Sequence, residues 1–158
     1  MPTGAVGPTG PAGGGLLIFG GMFSDIESSA TFNGNINTTV VLPEPTPATG
    51  IVHDALNSTL TVSSTGVYEV HYKINYTPTF IPVETAFLSI GVLVNDITVV
   101  TETHLLTSGV ENSVFGTMLF VLASNDVVSL AINPTENVTF TFLGGVNAIV
   151  TLKQLQAL

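Results

Sequence analysis

The chain has 158 residues, of which 45% are hydrophobic and 8% charged, with no cysteine and a net charge of -9. Two lysines against eleven acids exclude binding to a nucleic-acid backbone, which needs clustered basic residues. The apolar share excludes a disordered chain, and no apolar run reaches the ~18 residues of a membrane helix, so the surplus is expected in a core or between subunits.

Residues 1–15 read MPTGAVGPTGPAGGG. Gly4, Gly7, Gly10 and Gly13 hold a three-residue register, with Pro8 and Pro11 each following a glycine. This is the Gly-X-Y pattern of a collagen triple helix, whose crowded axis admits glycine alone. A flexible linker has no reason to keep such a register. Three triplets cannot hold three chains together unaided, so the segment reads as the end of a longer stalk, with a glycine hinge leading into a head over 16–158. It contains neither the basic n-region nor the apolar h-region of a signal peptide. A triple helix delivers three chain ends in register, which makes a homotrimeric head the expectation.

From Leu16 onward the apolar pattern has period two, the signature of strands. Gly66 to Tyr76, GVYEVHYKINY, alternates without a break. Tyr68, Val70, Tyr72, Ile74 and Tyr76 share the expected core face, and Glu69, His71, Lys73 and Asn75 share the other. Val127 to Ile132 puts Val128, Leu130 and Ile132 inward, and Val138 to Phe142 puts Thr139 and Thr141 outward. Two stretches, Ala86 to Val94 and Phe115 to Leu122, are apolar on both faces. In an antiparallel sandwich one face normally meets water, so a second subunit is expected to cover them. Phe87, Leu93, Leu119 and Val121 are the candidate trimer contacts.

Turn signals separate these runs: Pro43 to Pro47, Ser63 to Gly66, Pro78 to Pro82, Asn95-Asp96, Ser108-Gly109, Ser124 to Asp126, Asn133-Pro134 and Gly144-Gly145. No window reads as a capped amphipathic helix. Eight to ten strands in one domain of this size fit an all-β, antiparallel two-sheet jelly roll.

The residues of enzyme chemistry are missing. There is no Gly-x-Ser-x-Gly elbow, no cysteine nucleophile and no phosphate-cradling glycine loop with a lysine. His53, His71 and His104 stand apart, without the His-x-His pair that a jelly-roll metalloenzyme uses. Glu102 and His104 share one strand face, read here as solvated; His53 falls in a loop and His71 faces outward. No catalytic residue, metal ligand or cofactor is expected. The Asn-x-Ser/Thr sequons at Asn37, Asn57, Asn75 and Asn137 are ordinary in a chain so rich in Asn and Thr.

Three stretches carry a family resemblance. Gly66 to Tyr76 resembles the Gly-x-Tyr-x-x-x-Tyr strand of TNF-like and complement-type trimeric heads. Gly116 to Ile132, GTMLFVLASNDVVSLAI, resembles their later hairpin, and Leu143 to Leu155, LGGVNAIVTLKQL, their buried final strand. A collagen-like stalk running into such a head resembles the BclA-type collagen-like glycoproteins of the bacterial exosporium. The resemblance implies a structural protein of a spore or other extracellular surface, whose homotrimeric head nucleates and caps a collagen-like fibre. It implies an O-glycan at Y-position threonines such as Thr9. Heads of this kind sometimes hold a cation near the three-fold axis, for which Asp54, Asp96 and Asp126 are the loop donors. Two other functions remain open at this point: a receptor- or glycan-binding adhesion module that gains avidity from three copies, and a phage or prophage fibre tip.

Overall fold

The computed structural model describes residues 17–80 and 85–158. The Gly-X-Y segment, with Gly4, Gly7, Gly10, Gly13 and Thr9, lies outside them. In chain order the strands are β1 (Phe19–Ser24), β2 (Ser28–Phe32), β3 (Thr38–Thr39), β4 (Glu44–Pro45), β5 (Ile51–Asp54), β6 (Thr59–Val62) and β7 (Gly66–Thr79). There follow β8 (Phe87–Val94), β9 (Ile97–Leu105), β10 (Asn112–Leu122), β11 (Val127–Pro134), β12 (Val138–Phe142) and β13 (Ala148–Ala157). No helix occurs among the described residues.

All pairings are antiparallel, and they make two sheets. The first runs β2-β12-β7-β13-β1-β4, with β10 also on β7; the second runs β5-β6-β11-β8-β9, with β3 also on β11. Alternation along β7 drives the packing of one sheet on the other. Tyr68, Val70, Tyr72, Ile74 and Tyr76 are all buried, as the periodicity predicts. They meet Leu60, Leu88, Ile90, Val128, Leu130 and Ile132 from the second sheet in one continuous core. At one end of this core, Tyr76 and Phe32 both pack edge-on against Phe140, with ring centroids 5.1 and 5.4 Å away. That geometry brings positive ring edges to a negative ring face.

The turns follow local chemistry. Asn95 and Asp96, between β8 and β9, both have positive φ, 52° and 65°, which a two-residue hairpin of the mirror-image type requires. The Asp126 carboxylate accepts a hydrogen bond from the Ala123 N–H and another from the Asn95 side chain, while Asn95 Oδ1 accepts one from the Val127 N–H. One clasp thus ties the β8–β9 and β10–β11 turns together. Three expected turns carry strand residues: β4 lies within Pro43 to Pro47, Pro78 lies inside β7 opposite Phe140, with Pro82 outside the described residues, and Pro134 closes β11 opposite Leu88. Proline has no N–H to give a ladder, so it is tolerated near the ends of strands.

Tyr76 carries a testable consequence. Its hydroxyl is buried without a hydrogen-bond partner, and burial pushes its pKa up to about 12. The folded protein therefore holds this proton after the unfolded chain has lost it. The stabilisation is complete below pH ~10 and is lost as pH rises toward about 12. Tyr76→Phe should lose less of its urea midpoint than the native chain between pH ~9 and ~11.5. Equal losses in the two proteins would show that Tyr76 does not couple folding to alkaline pH.

Candidate functional site

The outward face of the first sheet can be read from its register. Across β10, β7, β13 and β1, one row is Phe115, Lys73, Ile149, Phe23. The next is Thr117, His71, Thr151, Gly21, and the third is Leu119, Glu69, Lys153, Phe19. The middle two strands are mostly polar, with Ile149 the exception, and the flanks mostly apolar. Phe115, Leu119 and Val121 are 69%, 62% and 69% exposed, so β10 presents a largely apolar edge to solvent, interrupted by Thr117. Their neighbours Met118 and Phe120 turn the other way and pack on the core. The chain's only two lysines both lie on this face, with Glu69 paired across the ladder from Lys153. His71 Nδ1 lies 3.0 Å from Thr117 Oγ1, a hydrogen bond that fixes the imidazole in the middle of the sheet.

The four candidate contacts do not form one surface. Leu119 and Val121 belong to this face, but Phe87 is on the outer face of the second sheet, opposite Leu105. Leu93 is buried within its own chain, only 6% exposed. The alternation of β8 continues through Leu93, which shares the outer face with Phe87 and Ser89 and is covered there by its own chain; the shift opposite it falls on β9, where Val99 is the extra residue.

Glu102 and His104 also depart from expectation. They pair with Ile90 and Leu88, whose side chains are fully buried, so both lie on the inner face of the second sheet, yet at its edge they stay half-exposed, with His104 Nε2 3.6 Å from Glu102 Oε2. Thr103 takes the outer face and lies 3.3 Å from Ser89 there. Asp54 and Asp126, considered as axial cation donors, are spent on their own turns. Asp54 accepts hydrogen bonds from the Leu56 and Asn57 N–H groups and from the Asn57 side chain, which hold its pKa below the usual carboxylate value. Asp96 sits at the left-handed corner of the β8–β9 turn. Among the described residues, no three His, Asp or Glu side chains gather as a metal site would require.

A cavity of about 250 Å³ opens beside β2, walled by Ile26, Phe32, Val40 and Phe142 over the buried Asn147. The Asn147 amide donates to the Ile26 and Leu143 carbonyls, so its N–H groups hold the chain together and are not free for a ligand.

No protein-family model matches the chain, and no curated protein matches it. Solved structures do. The structure of Eiger TNF from S. frugiperda superposes with a TM-score of 0.65 at 16% identity, over 90% of this chain and 94% of that one. Murine APRIL, crystallised at pH 5.0, superposes with a TM-score of 0.59 at 15% identity, over 88% and 99%. At such identities the likeness is one of fold, and the fold is the TNF-like jelly roll.

The apolar edge of β10 predicts self-association. Leu119→Asp places a carboxylate where the single chain is open to water, so the fold should survive. In an assembly the same carboxylate would be buried without a partner, which costs several kcal/mol. Sedimentation velocity should show a smaller species with an unchanged circular-dichroism spectrum. An unaltered assembly would show that this edge is not a contact.

Proposed function

We propose that this chain is the homotrimeric head of a collagen-like fibre displayed on a bacterial spore surface, in the exosporium or an appendage, or on another extracellular surface. The observation that carries the proposal is the outward face of the first sheet, where Phe115, Leu119 and Val121 stand in solvent beside strands that also hold both lysines. Three copies around an axis would bury that face. β1, the first strand after the Gly-X-Y segment, belongs to the same sheet as β10. The TNF-like fold supports a trimeric head module. The head's role is structural and not catalytic: it aligns three chains, caps the fibre and leaves the outer face of the second sheet, with Phe87 opposite Leu105, toward the surroundings.

Alignment is where a head contributes most. Bringing three flexible chains into register is opposed by closure entropy, and a pre-assembled trimer removes most of that cost by raising the effective concentration of the stalks. In a version with an extended Gly-X-Y region, the triple helix should refold fast with the head attached and slowly without it, as read by the collagen circular-dichroism signal. Equal refolding rates would refute the nucleating role.

A further inference from the structure

β2 ends the first sheet, with β12 on one side and no described strand on the other. Among the described residues, Ser28–Phe32 make no backbone hydrogen bond outside that ladder. Alternate N–H and C=O groups of a strand point to either side, so those of β2 that turn away from β12 are open to a further strand. Proteins ordinarily blunt such edges by short length, charge, proline or a bulge. The other edges of this head follow that rule, apart from β10, the proposed contact between copies. β3 and β4 have two residues each, and β4 ends on Pro45. β5 carries His53 and Asp54, while β9 carries Glu102 and His104 and has Val99 as an extra residue. β2 has no charge, no proline and no register shift. Hydrogen bonds from Ser29 to Thr141, 2.9 Å, and from Thr31 to Thr139, 2.8 Å, fix it on β12 and leave its far edge preformed.

The cavity of about 250 Å³ lies against the inner face of this edge. It is open because Ser28 and Ala30, opposite Phe142 and Phe140, are too small to fill it. Phe32 and Phe142 wall it, and the exposed Ile26 and Val41 stand at its rim. A cavity of about 150 Å³ takes up benzene, so this one has room for a single aromatic side chain. An open strand edge beside a side-chain pocket is the arrangement that recognises peptides by strand addition: the ladder gives affinity and the pocket gives specificity. The surrounding charge says which peptide. Asp25 and Glu27 directly precede β2, and Glu44 follows soon after Val41, whereas both lysines lie away on β7 and β13. A segment with basic residues flanking its aromatic one complements that surrounding.

We propose that the free edge of β2 takes an extended segment of a partner protein as an added strand, with one aromatic side chain of that segment in the cavity and basic residues at its ends. Every group involved comes from one chain, so the site does not rest on the proposed trimer.

Fluorescence anisotropy of the full chain with a labelled probe peptide, Lys-Thr-Val-Thr-Phe-Thr-Val-Lys, tests this. Saturable binding is expected, and it should weaken by about tenfold when the peptide's Phe is replaced by Ala. Of two probe versions N-methylated on alternate residues, one should lose binding and the other keep it, because an added strand bonds along one edge only. Ala30→Leu, which fills the cavity, should weaken binding by about tenfold with an unchanged circular-dichroism spectrum, and Leu119→Asp should bind as the native chain does. The proposal is overturned if the native chain does not bind the probe saturably, if the Phe or Ala30 replacement leaves affinity unchanged, or if the two N-methylated versions behave alike. It is also overturned if, without peptide, the native chain assembles beyond three copies and Ala30→Leu reverses this, since the occupant would then be another copy of the chain.

Discussion

The alternation of β7 constrains almost everything else in this head. Over fourteen residues, its even-numbered side chains are buried and its odd-numbered ones face out. It pairs with β10 and β13 along most of its length and with β12 at its far end. Its inner side supplies three tyrosines to the core, and its outer side supplies Glu69, His71 and Lys73 to the proposed contact face. A slip of one residue would exchange the two sets and put charges in the core, so the register is strongly fixed. The same strand constrains β10, because the Tyr72 ring and hydroxyl occupy the space a Cβ at Gly116 would need.

The sequence made this strand legible because nothing interrupts its period. It made the β8–β9 turn legible too, since Asn and Asp tolerate the left-handed conformation that both positions adopt. The exposed edge of β10 could be read because Phe115, Leu119 and Val121 recur on one face while Met118 and Phe120 fill the other. A uniformly apolar run does not say how much of its outer face the same chain covers, so Leu93 was expected at a contact and is buried within the chain.

β9 was legible only in part, for a different reason. Thr101, Glu102, Thr103 and His104 are polar on both faces, and only the pairing with Ile90 and Leu88 decides which pair points inward. That is a tertiary fact with no local signal. The strands β3 and β4, of two residues each, are equally silent, because their pairing depends on the sheets they join.

The low charge of the chain is consistent with a head that spends surface on contact. Both lysines lie between apolar flanks on one face, where a second copy could supply carboxylates, while the described acids other than Glu69 and Glu102 are distributed over turns, loops and strand ends. The mass of the head in solution is therefore the most direct measurement. Sedimentation equilibrium on residues 17–158, without the Gly-X-Y segment, should return three times the mass of one chain. A monomer at the same concentration would contradict the account at its centre, because the apolar edge of β10 would then have no subunit to cover it.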